Sequence, residues 1–143
     1  MKKELKKIIV TNSEKDTLRW AEKFAKQLTE NDIICLSGQM GAGKSVIVRG
    51  IACGIGISEH ITSPTFTIVN EYRSAKNLYH FDLYRIDNAE DFFNVGVEEY
   101  LSKQGIKILE WADKFCIFPE NRYDINIEIL DLSKRRIIVT RQN

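Results

Sequence analysis

The run Gly38-Gln39-Met40-Gly41-Ala42-Gly43-Lys44-Ser45 constrains the fold of this chain more than any other feature. It satisfies the phosphate-loop pattern G-x-x-x-x-G-K-[ST] at every fixed position. Before it, Ile33-Ile34-Cys35-Leu36 reads as a short buried strand; after it, Val46-Ile47-Val48 through Ile51-Ala52 reads as the start of a helix. Strand, glycine loop and helix together form the context in which such a loop wraps a polyphosphate. Glycines let the backbone approach the phosphates without Cβ clashes. Loop amides and the helix N-terminus then point partial positive charge at the anion. Lys44 is expected to reach the β- and γ-phosphates and the Ser45 hydroxyl to ligate Mg²⁺. The eight loop residues are therefore candidate nucleotide-binding positions, with ATP as substrate, Mg²⁺ as cofactor and Lys44 as a catalytic group.

The remaining chain bounds the class of protein. At 143 residues, 1–143 reads as a single domain with room for a real core. Hydrophobic residues make up 43% and charged residues 29%, the balance of an ordinary globular chain. A net charge of +1 predicts no strong long-range attraction to nucleic acid or an anionic membrane. Met1-Lys2-Lys3-Glu4-Leu5-Lys6-Lys7 is basic but lacks the apolar run of a signal peptide, and no segment approaches the ~20 apolar residues of a membrane span. Cys35, Cys53 and Cys116 show no Cys-x-x-Cys spacing, and His60 and His80 add no zinc pattern. Free thiols, no signal and an ATP-type loop point to a cytoplasmic protein.

Periodicity supplies the other elements. A first strand is expected at Lys7-Ile8-Ile9-Val10. Ser13 with Asp16 three residues on is a capping-box variant, and Leu18, Ala21, Phe24, Ala25 and Leu28 then recur at helical spacing, to about Thr29. The helix after the glycine loop should end near Gly54-Ile55-Gly56. Residues 66–72 and 78–83 read as an antiparallel hairpin around the polar turn Arg73-Ser74-Ala75-Lys76-Asn77. Asp87 or Asn88 caps one helix through Phe92, Phe93, Val97, Tyr100 and Leu101, ended by Gly105. Ile106-Lys107-Ile108-Leu109-Glu110 is a strand, and Tyr123, Ile125, Ile127 and Ile129 alternate before a final hairpin partner at Ile137-Ile138-Val139. The expected fold is α/β, a three-layer P-loop NTPase-like domain whose mixed sheet has a parallel core and antiparallel additions.

A phosphate-loop enzyme also needs a carboxylate at the end of a neighbouring strand, for Mg²⁺ or its waters. Asp82 and Glu110 both follow apolar strands in this way, and the spacing fits direct or water-mediated binding by either. Ile61-Thr62-Ser63-Pro64-Thr65-Phe66-Thr67 joins the loop helix to the next strand, where a nucleotide-sensing switch can fold over the γ-phosphate. Ser63, Thr65 and Thr67 supply hydroxyls and Pro64 stiffens the turn, although a Ser/Thr-rich connection also occurs without function. His80, inside a strand, reads as a hydrogen-bonded structural residue. Trp111 suits stacking on a base or a partner, or plugging the core edge, and Arg135-Arg136 reads as a solvated hairpin face.

Four blocks carry a resemblance. Gly38-x-x-Gly41-x-Gly43-Lys44-Ser45, Ser63-Pro64-Thr65-Phe66-Thr67-x-Val69-Asn70-Glu71-Tyr72, His80-Phe81-Asp82-Leu83-Tyr84-Arg85 and Glu110-Trp111 occur in the order and spacing of the TsaE family, small bacterial ATPases of tRNA threonylcarbamoyladenosine (t6A) synthesis. The resemblance implies that Thr65 lies in a first switch with Ser63, Pro64 and Phe66, that Asp82 is a Walker B-like acid, and that Glu110 is a Mg²⁺-linked acid in a second switch beside Trp111. It implies that Thr11 lies near the base and sugar of the nucleotide. It further implies TsaD and TsaB as partners, with tRNA met only indirectly through that complex and no membrane involved. Gln39 stands where the family usually has an acid, Ser45 where it usually has threonine, and Ala112 where proline is common. Two other classes share the loop: a small-molecule kinase, which needs an acceptor site and an arginine-bearing lid, and a nucleotide-dependent binding module.

Overall fold

Along the computed structural model run β1 (Leu5–Thr11), α1 (Glu14–Ala25), β2 (Ile33–Gly38), α2 (Lys44–Gly54), β3 (Val69–Tyr72), β4 (Leu78–Asp82), α3 (Ala89–Val95), α4 (Val97–Leu101), β5 (Ile106–Glu110), β6 (Arg122–Ile129) and β7 (Arg135–Gln142). The structure describes residues 5–64, 68–112 and 121–142. The strands form one seven-stranded sheet ordered β1-β7-β6-β2-β5-β4-β3. β2 is parallel to both β5 and β6, and β4 is parallel to β5; β1–β7, β6–β7 and β3–β4 are antiparallel. The expected mixed sheet, parallel at its centre and antiparallel at both edges, is the one observed.

Strand alternation produces the layering. Ile34 and Leu36 of β2 pack with Ala21, Leu28, Ile47 and Ile51 of the α1–α2 side. Ile33 and Cys35, one residue out of phase, pack with Phe81, Phe92, Val97 and Leu109 on the opposite face. Successive side chains of a strand point to opposite faces, so a strand covered on both reads as an unbroken apolar run. Helices on both faces of the sheet make three layers.

Local chemistry sets the helix ends. Ser13 Oγ accepts from Asp16 N–H at 3.0 Å, and an Asp16 carboxylate oxygen accepts from Asn12 N–H at 3.1 Å. Helix α1 stops at Ala25, earlier than its apolar period, but Leu28 remains buried in the turns that follow. Helix α2 closes with a Schellman motif: Ile57 N–H donates to Ala52 O at 2.9 Å and Gly56 N–H to Cys53 O at 3.1 Å. The single helix expected after Asn88 is two. Asn88 caps α3, and Gly96, at φ +79°, breaks the path before α4. The expected strand at 66–72 is observed as Val69–Tyr72; residues 65–67 lie outside the described residues, as does Cys116.

Helices α1 and α2 cross through small residues. A Cβ on Gly50 would lie 2.5 Å from Ala21 Cβ and 2.8 Å from Leu18 O. Gly50→Ala is therefore expected to destabilise the fold by about 1–3 kcal/mol through overpacking, against the ~1 kcal/mol that alanine gains in helix propensity. Urea denaturation measures the net sign, and a stabilised variant would contradict this close crossing.

Candidate functional site

The parallel registers bring three strand ends together. Leu36 of β2 pairs with Glu110 of β5, and Asp82 of β4 also pairs with Glu110. The glycine loop leaves β2 at this same end. In open α/β sheets the crevice beyond the carboxyl ends of parallel strands is where ligands bind. A cavity of about 920 Å³ lies there, lined among others by Met40 to Ser45, Ser63, His80, Asp82, Glu110 and Trp111.

Two glycines have steric reasons to be in the loop. A Cβ on Gly38 would meet Ile127 O at 2.7 Å, and Gly43, at φ +110°, caps α2 in a left-handed conformation that carries no side-chain cap. A helix start leaves backbone N–H groups without intrahelical partners, which suits an anion, and this one lines the cavity. The β6–β7 hairpin braces the loop. Arg135 Nε donates to Ala42 O at 2.8 Å, while its Nη1 donates to Asp131 O at 2.8 Å and Lys134 O at 3.0 Å. Arg135 thus corrects the expectation of a solvated hairpin face; Arg136, paired with Glu128 at 3.2 Å, fits it.

Lys44 opens α2 and its ammonium lies 3.8 Å from Glu110 Oε1 and 4.5 Å from the centre of the Trp111 ring. The other Glu110 oxygen, Oε2, lies 2.6 Å from His80 Nε2. Trp111 has φ +65°, a left-handed backbone that a bulky residue rarely adopts. That turn follows the last residue of β5 and carries the indole to Lys44 and to Tyr84, whose ring is 5.1 Å away. Asp82 Oδ1 accepts from Tyr84 N–H at 3.0 Å, which fixes the carboxylate at its strand end. The segment before Ser63 is tied to β3: Asn70 Nδ2 donates to Thr62 O at 3.1 Å and the Tyr72 hydroxyl to the same oxygen at 3.3 Å.

Met40, Gly41, Ala42, Gly43, Lys44, Ser45, Ser63, Asp82, Glu110 and Trp111 therefore share one cavity. Gly38 and Gln39 border a smaller one on the other side of the loop, with Asn126 and Arg136. Thr11 is buried and commits its hydroxyl to Thr17 at 2.7 Å; it is Thr17 that lines the main cavity. Pro64 is buried, and its carbonyl accepts from Ile68 N–H at 2.6 Å. Thr65 and Phe66 lie outside the described residues. Two residues that touch the site, His80 and Arg135, read from sequence as structural and as solvated. His80 stands two positions before Asp82, and strand alternation alone puts both on one face. No local signal joins Arg135 to Ala42, 93 residues away.

Likeness to known proteins extends over this whole arrangement. Residues 11–138 match the family described as "Threonylcarbamoyl adenosine biosynthesis protein TsaE". The tRNA threonylcarbamoyladenosine biosynthesis protein TsaE of Treponema pallidum is 38% identical over 131 residues, covering 91% of this chain and 97% of that protein. The protein of the same name from Aquifex aeolicus is 37% identical over 144 residues, covering 97% and 99%. The crystal structure of Bacillus subtilis YdiB superposes with a TM-score of 0.79 at 32% identity, over 100% of this chain and 88% of that one. With a family match spanning nearly every element and relatives this similar along their full length, the chain belongs to the TsaE family.

Proposed function

We propose that this chain is a Mg²⁺-dependent ATPase that serves t6A formation on tRNA by acting on a TsaD–TsaB complex, without transferring the carbamoyl group itself. The observation that carries the ATPase part is the convergence of Lys44, Ser45, Asp82 and Glu110 on one cavity at the carboxyl ends of β2, β4 and β5. The family supports the t6A part.

The donors fit Mg²⁺. Ser45, Asp82 and Glu110 offer hard oxygen ligands only. Among the described residues no three His, Cys, Asp or Glu gather into a metal cage. That suits an ion completed by substrate phosphates and water. The ion would supply charge neutralisation across the β- and γ-phosphates. Lys44, whose ammonium lies 4.5 Å from the centre of the Trp111 ring, would add a second positive charge there. Loop amides orient the phosphates, and Ser63 stands where a segment after α2 can answer to the γ-phosphate. Thr65, Phe66 and Trp111 complete the proposed switch and partner surface. No helix among the described residues is long and apolar enough to cross a membrane; a cytoplasmic setting accords with the chemistry proposed.

Arg135 braces the loop, so Arg135→Ala is expected to weaken ADP binding by at most about tenfold, the limit reached if the whole ~1.5 kcal/mol of the charge-assisted hydrogen bond preorganises the loop. Calorimetric titration with ADP measures this, and unchanged affinity would remove Arg135 from the site.

The decisive experiment measures ATP turnover by the chain alone and then with TsaD and TsaB. Turnover that rises with the partners, together with ATP-dependent association, is the expected result. With a net charge of +1, direct titration with tRNA at physiological salt should show only weak binding. Tight tRNA binding alone, with no ATP-dependent partner association, would overturn the accessory role.

A further inference from the structure

We propose that His80 is a positioning residue for Glu110: its Nε2–H holds one carboxylate oxygen so that the other is presented to Lys44 and the metal side of the cavity. This inference rests on the ATPase reading and assigns a residue to it.

Strand geometry makes the pairing. Leu78, His80 and Asp82 of β4 share one face, as do Ile106, Ile108 and Glu110 of β5. Leu78, Ile106 and Ile108 lie in the apolar layer with Ile47 and Ile51 of α2, so this face looks toward α2. Pairing of His80 with Ile108 and of Asp82 with Glu110 leaves His80 diagonal to Glu110. Their side chains meet at 2.6 Å. An ionised carboxylate only accepts, so the imidazole nitrogen facing it is the donor. Glu110 Oε1 is then left 3.8 Å from the Lys44 ammonium.

Among the described residues, the hydrogen bond that the buried imidazole makes is the one to Glu110. The residue is 3% exposed, on a face whose apolar members include Leu78, Ile106 and Ile108. Among the described residues its Nδ1 has no hydrogen-bond partner. Burying a polar ring nitrogen unpaired is unfavourable, and an aliphatic side chain at this position would avoid it. What the aliphatic residue would lack is a donor for Glu110. Orientation of a metal-linked carboxylate by such a partner typically changes metal affinity or activity by about 10- to 100-fold.

The test compares His80→Leu with His80→Gln, whose amide nitrogen can take the place of Nε2. Binding of ADP is measured calorimetrically with Mg²⁺ and with EDTA, beside ATP turnover and thermal melting. For His80→Leu we expect the Mg²⁺ concentration needed for half-maximal tightening to rise about tenfold or more, with a much smaller change of ADP affinity in EDTA. His80→Gln should recover most of the wild-type Mg²⁺ response. In a Glu110→Gln background, His80→Leu should add nothing further, because the partner it orients has lost its charge. If His80→Leu does not fold, His80→Asn, whose amide is too short to reach Glu110, replaces it. A folded His80→Leu or His80→Asn with the wild-type Mg²⁺ response overturns the positioning role. So does a His80→Gln variant as impaired as His80→Leu with equal loss in EDTA, which marks a packing effect only. A wild-type chain that binds ADP without any response to Mg²⁺ instead overturns the ATPase reading from which the inference starts.

Discussion

On the proposed ATPase reading, Lys44→Ala is expected to lower ATP turnover by about 10²- to 10³-fold while the protein stays folded. That is the scale expected when one preorganised positive group is removed from a developing anionic charge. The lysine lines the cavity with the glycine loop, 3.8 Å from Glu110 and 4.5 Å from the centre of the Trp111 ring. Its loss should not unfold the protein, because Glu110 keeps the His80 hydrogen bond at 2.6 Å and α2 keeps its apolar face in the core. Steady-state phosphate release and a circular-dichroism melt measure the two halves of this result. Wild-type turnover in folded Lys44→Ala protein would refute the phosphate-loop assignment.

Glu110→Gln and Asp82→Asn are each expected to lower turnover by a similar ~10²- to 10³-fold. Each substitution keeps the shape and removes one negative charge from the proposed metal side of the cavity. The side-chain carbonyl left by Glu110→Gln can still accept from His80 Nε2–H, and the one left by Asp82→Asn can still accept from Tyr84 N–H, so the strand ends stay in place. The change is therefore electrostatic, and raised Mg²⁺ should restore part of the loss. Turnover measured across a Mg²⁺ series separates the two acids, since the direct ligand shifts the Mg²⁺ midpoint further. If both amide variants behave as wild type across that series, the metal-site assignment is wrong.

Much of this molecule was legible in order along the chain. The glycine loop, the Ser13 cap, the Schellman end of α2, both hairpins and the strands ending in Asp82 and Glu110 are encoded by residues close in sequence. Short-range steric and hydrogen-bonding rules act on such neighbours directly. The one misread helix shows the limit of that logic. The apolar spacing of Phe92, Val97 and Leu101 continues across Gly96, yet the left-handed backbone there ends α3 and starts α4. Period describes which side is buried; it does not guarantee an unbroken hydrogen-bond ladder.

By itself, then, the sequence determined most of the element order, the glycine loop between β2 and α2, and the two candidate acids at strand ends, because each rests on contacts within a few residues. Tertiary structure decided which of those residues meet. Parallel register set Leu36, Glu110 and Asp82 at one end of the sheet. It also supplied Glu110 as the partner of His80, which the sequence already read as hydrogen-bonded, and turned Arg135 from a solvated hairpin residue into a brace for Ala42. It buried Thr11 against Thr17, leaving Thr17 to line the cavity. The His80–Glu110 and Arg135–Ala42 contacts span 30 and 93 residues. Contacts at that separation follow from strand order and register, which are set by packing of the whole sheet between its helices, and no local pattern carries them.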